Sequence, residues 1–198
     1  MTKIILASCS QARKNIITSL NFPYIVMPAD INEKSIQDID PAKRAEKIAI
    51  VKAEKIAQTE NAIIIAADTF CVHEDGTVLE KPKSLQEAKE MLRLQSNSVD
   101  FVYSGFCYID KINNFQFSGT AITKIYLRKF SEEEINNYVD NMPVLTWSGA
   151  FYPGIPYGAS LIKKVEGSLS SFLYGLPTEL LIPQLEKSGI KFSPKQGL

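Results

Sequence analysis

Apolar positions along the chain follow two periods, and the places where one period gives way to the other mark the elements. Lys3 to Ala7 holds the run Ile4-Ile5-Leu6-Ala7, which reads as a short buried strand. Ser10 then caps a helix predicted over Gln11 to Leu20, where Ala12, Ile16 and Leu20 recur at four-residue spacing. "PYIVMPAD" reads as a second strand. Asp40-Pro41 places a capping carboxylate before a proline at the first helical position, opening a helix that runs to about Gln58. "NAIIIAADTFCV" is a continuous, Ile-rich apolar run, the pattern of a strand buried on both faces.

Asp75-Gly76 turns the chain. Ser84 with Glu87, and later Ser131 with Glu134, have capping-box spacing and open helices. Between them, Val99 to Ile109 and Phe115 to Phe130 read as strands joined in a hairpin across "DKINN". A last helix is expected from Pro177 to near Gly189, with a kink at Pro183. Early alternation of strands and helices, followed by a hairpin, predicts an α/β protein with a mixed, twisted central sheet and flanking helices. No internal repeat or low-complexity linker interrupts residues 1–198, so one continuous domain with two lobes is expected.

Charge narrows the function. Lys plus Arg equals Asp plus Glu at 22 each, and a net charge of zero argues against a general nucleic-acid binder. Cys9, Cys71 and Cys107 are widely spaced without a C-x-x-C pair, and His73 is the single histidine. Neither a disulfide framework nor a zinc site is expected from that set. No apolar run has the length of a membrane span, and the first residues turn polar too soon for a signal peptide. A cytoplasmic protein is the expectation.

The candidate chemistry lies in polar residues placed where packing alone would want apolar ones. "ILASCSQARKN" joins a strand to a helix N-terminus, where free backbone N–H groups and the helix dipole favour an anion. Ser8 and Ser10 offer hydroxyl donors there, and Arg13 a bidentate phosphate contact. The bland alternative is a capped helix with a surface arginine. Lys52 lies on the apolar stripe formed by Ala45, Ile48, Ala49, Ala53 and Ile56. It either snorkels to solvent, the commoner outcome, or meets a carboxylate or phosphate.

Asp68 follows "IIIAA", which puts an acid at or near the carboxyl end of a buried strand, the edge where α/β sheets bind ligands. Its carboxylate can hold a metal, serve as a general base, or simply bond turn N–H groups. "LEKPK" points Lys81 either to a phosphate or to solvent. The glycine-rich segment "WSGAFYPGIPYGAS" carries Trp147, Phe151 and Tyr157, aromatics able to stack on a base or to pack a core. Glu33 is a lone loop acid with no meaning of its own.

Taken in order, "ILASCSQAR", "PADINE", "IVKAEKIA", "AADTF", "EKPKSLQEAKEML", "VYSGF", "FSEEEINNYV", "SGAF", "VEGSLSS" and "GLP" resemble the Maf (septum-inhibition) family of nucleoside triphosphate pyrophosphatases. The resemblance implies a Maf/ITPase-like fold with two lobes around a nucleotide cleft. It also implies hydrolysis of a nucleoside triphosphate to monophosphate and pyrophosphate, with Mg²⁺ or Mn²⁺ as cofactor. Ser8, Ser10 and Arg13 match the opening phosphate-binding motif, and Lys52 and Lys81 the family's two lysines. Asp68 matches the catalytic acid, with Glu33 beside it as metal ligand. "AADT" is similar to the branch favouring dTTP and UTP, and a role in cleaning modified nucleotides from the pool is implied. A homodimer is implied too, with neither a membrane nor a nucleic acid as partner.

The chain also departs from the family pattern. Gln11 stands where the family commonly has proline, Glu80 where it has glycine, and Asp100 where it has histidine. "YPGIPYGAS" lacks the Gln or Glu that usually precedes glycine in the segment expected to shape the base pocket. A nucleotide-binding regulator of cell division with weak turnover is the alternative those changes leave open.

Overall fold

Residues 2–193 are described by a computed structural model. In chain order the elements are β1 (Ile4–Leu6), α1 (Gln11–Ser19), β2 (Ile25–Val26), α2 (Pro41–Ala57), β3 (Ile63–His73), β4 (Val78–Leu79) and α3 (Leu85–Gln95). There follow β5 (Val99–Asp110), β6 (Phe115–Leu127), α4 (Glu132–Asn141), α5 (Pro156–Ser160), β7 (Ile162–Gly167), α6 (Leu169–Tyr174) and α7 (Thr178–Lys187). Among the described residues the seven strands form a single mixed sheet in the order β2-β1-β3-β5-β6-β7, with β4 paired to β3. β1 runs parallel to β2 and β3, while β4 and β7 join antiparallel. This is the mixed α/β sheet expected from the alternation of elements.

Local signals set most boundaries. The Asp40 side chain accepts from Ala42 N and Pro41 opens α2. Ser131 and Glu134 form a complete capping box on α4. At α3 the box is only half made: Ser84 accepts from Glu87 N, but the Glu87 carboxylate turns to Lys83 N. The second strand is shorter than its apolar run suggests, two residues with both side chains exposed. Helix α7 runs through Pro183 from Thr178 to Lys187.

The described residues form two compact units, one of residues 2–69, 104–121 and 174–193, the other of 70–103 and 122–173. In the first, side-chain alternation along the strands sorts the core onto two faces. Ile4, Leu6, Ile63, Ile65 and Ala67 pack with Ile17 of α1 and with Leu181 and Leu185 of α7. Ile5, Ala7, Ile64 and Ala66 pack with Ala49, Ala53 and Ile56 of α2. Full burial of each Ile or Leu stabilises by about 1.5–3 kcal/mol, so such contacts hold all three helices to the sheet. Closest approach is at Gly105, where an added Cβ would lie 2.0 Å from the Ala45 carbonyl oxygen. A side chain there would push α2 off the sheet.

The second unit has its own core. Ala88 and Leu92 of α3 and Ile135, Tyr138 and Val139 of α4 pack with Val102, Ile125 and Leu127. Among the described residues no helix is long and apolar enough to cross a membrane.

Candidate active site

Asp68 stands in the middle of β3, not at its carboxyl end. The strand continues through Thr69 to His73, and the acid falls where six buried residues give way to three half-buried ones. Apolar content could not mark that point, because the residues beyond Asp68 have equally strong strand propensity. The Asp68 carboxylate is itself buried, at 8% exposure.

Lys52 comes to it from α2. Its place on the apolar stripe buries the stem against the sheet, and its ammonium does not snorkel to solvent. Nζ lies 2.7 Å from Asp68 Oδ1 and 2.6 Å from Glu33 Oε1. The expectation of a solvated lysine is therefore corrected: a buried ammonium is tolerable when two carboxylates flank it, and here they do. Glu33 opens a short 3-10 turn, Glu33–Ser35, and its side chain is half exposed. The lone loop acid of the sequence is thus one arm of a three-residue charge cluster.

A second cluster forms around Arg13. The residues buried on α1 are Arg13 and Ile17, one position along from the Ala12 and Ile16 stripe read from the spacing. A guanidinium can face inward here because protein acceptors meet it. Nε donates to Gly175 O at 2.9 Å, and Nη1 to Ser8 Oγ at 3.0 Å and Ala67 O at 2.9 Å. Nη2 donates to Thr69 Oγ1 at 3.2 Å. A bidentate phosphate fork, as expected from sequence, would need donors that these bonds already engage. Burial lowers the Arg13 pKa, while the charges of Asp68 and Glu33 pull it back up.

Ser10 caps α1 by accepting from Arg13 N, and Ser8 Oγ accepts from Ser10 N. Both hydroxyls act as acceptors in these bonds, so each keeps its O–H to donate. Residue type alone does not mark Thr69 or Gly175, although both lie in the family-like segments "AADTF" and "GLP". Gly175, at φ +64, aims its carbonyl at both Arg13 Nε and Thr69 Oγ1.

The remaining candidates belong to the second unit. Lys81 is exposed in the segment between β4 and α3, next to buried Pro82. The carbonyl of Glu80 before it accepts from Gly149 N at 2.9 Å. Gly149 O in turn accepts from the buried Gln95 amide at 2.6 Å. The aromatics of the glycine-rich segment pack on one another: Trp147 against Tyr138 and Tyr152, and Tyr157 against Tyr138. Phe151 adds to the same core. Trp147 is partly buried with it, whereas Tyr157 stays exposed at 38%.

The donor set suits a hard divalent cation. Two carboxylate oxygens, from Glu33 and Asp68, already converge on one positive charge. Among the described residues no group of three or more His, Cys, Asp or Glu is arranged to hold a metal. One or two carboxylates, with waters and substrate phosphates completing the shell, is the usual arrangement for magnesium.

Known proteins resemble this chain over most of its length. The chain is 36% identical over 194 residues to the dTTP/UTP pyrophosphatase of Caldanaerobacter subterraneus subsp. tengcongensis, covering 96% of this chain and 91% of that one. It is 31% identical over 188 residues to the nucleoside triphosphate pyrophosphatase of Synechococcus sp., covering 94% of each. Among solved structures, the Ham1 protein of Staphylococcus aureus matches with a TM-score of 0.45 at 15% identity, over 64% of this chain and 72% of that one. The family model described as Maf-like protein matches residues 3–188, and the chain belongs to the Maf family.

Proposed function

We propose that the protein hydrolyses a nucleoside triphosphate to its monophosphate and pyrophosphate, acting as a single catalytic domain. The observation that carries this reading is the buried Asp68 carboxylate paired with Lys52, whose ammonium also meets Glu33. Relatives named as pyrophosphatases of dTTP and UTP, or of nucleoside triphosphates, support the substrate class.

The reaction breaks the bond between the α-phosphorus and its bridging oxygen to the β-phosphate, and water supplies the new oxygen on the α-phosphorus. The water's two protons leave to base and solvent, and the electron pair of the broken bond stays with pyrophosphate. Such a reaction needs positive charge on the non-bridging oxygens and a directed water. Asp68 orients the water and takes its proton. Lys52 places positive charge beside Asp68. Ser8 and Ser10 hydroxyls and the free N–H groups at the start of α1 donate to phosphate oxygens, and Lys81 supplies a further ammonium. Glu33 and Asp68 would hold Mg²⁺ or Mn²⁺, which supplies Lewis-acid stabilisation of the phosphate charge when bound. We further propose dTTP, UTP or modified nucleotides as substrates, in cytoplasmic pool cleaning.

Pyrophosphate and monophosphate released from dTTP, UTP, CTP, GTP, methylated GTP and pseudouridine triphosphate, each with Mg²⁺, test this reading. Equal amounts of both products are expected, lost by about 10²–10⁴-fold in Asp68→Asn. Release of inorganic phosphate alone, or turnover that survives in Asp68→Asn, would overturn it. Tight triphosphate binding without turnover would favour the regulator instead.

A further inference from the structure

We infer that Arg13 is a positioning residue for Asp68 and not a phosphate ligand, an inference that rests on the reaction assigned above. Three observations support it. The first is what the guanidinium touches: Ala67 O at 2.9 Å and Thr69 Oγ1 at 3.2 Å, the residues immediately before and after Asp68. The second is the other end of the clamp. Nε donates to Gly175 O, Thr69 Oγ1 also bonds Gly175 O at 3.1 Å, and Nη1 reaches Ser8 Oγ. Four donor contacts leave one N–H of the five unaccounted for, too few for a bidentate phosphate contact.

The third is the face of the strand. Side chains alternate along β3, so Ala67 and Thr69 point to the α1 side while Asp68 points to the α2 side. Ala67 packs with Ile17, and Ala66 with Ala49 and Ala53, which fixes the two sides independently. Arg13 therefore grips the strand on either side of Asp68 from behind, through Ala67 O and Thr69 Oγ1, and Lys52 meets its carboxylate from the front. The Ser104 hydroxyl, fully buried, lies 3.1 Å from Thr69 Oγ1 and closes the same network. Glycine at 175 is required by this packing, since an added Cβ would lie 3.0 Å from Thr69 Oγ1 and 3.4 Å from Arg13 Nη2 at a left-handed φ of +64.

A lysine at position 13 keeps the charge and loses the fork, because one ammonium cannot span Ser8, Ala67, Thr69 and Gly175. The test compares Arg13→Lys and Thr69→Val with the wild-type protein, on the best triphosphate of the panel and with Mg²⁺. Expected for Arg13→Lys is a fall in kcat of about 10²-fold, the size of effect a small misplacement of a catalytic group produces. KM is expected to stay within about three-fold, since no phosphate contact is lost. Triphosphate binding, measured by calorimetry in an Asp68→Asn background, should likewise change by less than about three-fold on adding Arg13→Lys.

Thr69→Val removes one anchor and leaves the charge, so a smaller loss in kcat at constant KM is expected. That variant decides the matter if Arg13→Lys does not fold. A phosphate ligand would behave differently. Affinity would fall by about 10- to 100-fold with the charged hydrogen bonds, while Thr69→Val would leave kcat untouched. Either result overturns the inference. A wild-type protein without turnover would overturn the assigned reaction, and this inference with it, before any Arg13 variant is compared.

Discussion

Lys52 Nζ lies 2.7 Å from Asp68 Oδ1, so the acid of β3 and the lysine of α2 form a buried ion pair with Glu33 as its second carboxylate. The Asp68 side chain is 12% exposed and that of Lys52 10%, whereas Glu33 is half in solvent. The pair cannot be separated without leaving a charge in an apolar setting. That cost binds the geometry of the site to the stability of the first unit.

Lys52→Met should therefore destabilise the protein by about 3 kcal/mol, the lower part of the range for breaking a buried pair. The double variant Lys52→Met, Asp68→Asn should be more stable than Lys52→Met alone, because the orphaned carboxylate is gone. Chemical denaturation of the four proteins in the cycle measures the coupling. Strictly additive effects would show that the two side chains do not share one charge balance.

How much of this was legible in the sequence depends on the range of the signal. Asp40 before Pro41 and Ser131 before Glu134 act on the backbone within three residues, and α2 and α4 begin where those residues place them. The partner of Lys52 lies 16 residues away and the acceptors of Arg13 up to 162 away, and no periodicity records such distances. For the same reason spacing favoured a solvated Lys52 and an outward Arg13. The position of Asp68 within β3 was hidden because Thr69 to His73 continue the strand with half-buried and buried residues alike. Thr69 and Gly175 carry no charge to draw notice, yet they complete the Arg13 network.

Gly105→Ala tests the seat of α2 directly. The methyl group would lie 2.0 Å from Ala45 O and 2.5 Å from Glu46 N, both backbone atoms that no rotamer change can move. Overpacking of this kind costs about 1–3 kcal/mol. Turnover should fall as well, since the displaced helix carries Lys52. A variant with an unchanged denaturation midpoint and unchanged kcat would mean that α2 yields without cost.

Gln95 offers a test in the second unit. Its buried amide donates to Gly149 O at 2.6 Å and Met91 O at 3.0 Å, and Gly149 N donates to the carbonyl of Glu80, the residue before Lys81. Gln95→Leu leaves the Gly149 carbonyl without that donor, a loss of about 1–3 kcal/mol. Chemical denaturation measures it, and an unchanged midpoint would show that the Gly149 carbonyl does not depend on Gln95.

His73 and Asp100 give the pH dependence its sign. His73 Nδ1 lies 2.7 Å from Asp100 Oδ1, with both side chains buried. Desolvation pushes the Asp100 carboxyl up to about 6, opposed by the hydrogen bond and charge of His73, with Glu74 and Asp75 adding to the rise. The charge of Asp100 helps burial raise the Cys71 thiol. Because the folded carboxyl binds its proton more tightly than an unfolded one at about 3.9, its contribution to stability is full below pH 4. It is then lost as pH rises through about 6. Asp100→Asn removes that loss, so its melting temperature relative to the wild type should climb between pH 4 and pH 7. The change corresponds to at most about 3 kcal/mol for a two-unit shift. Thermal denaturation of both proteins across that range measures it, and a constant difference at every pH would show that Asp100 does not change its proton occupancy on folding.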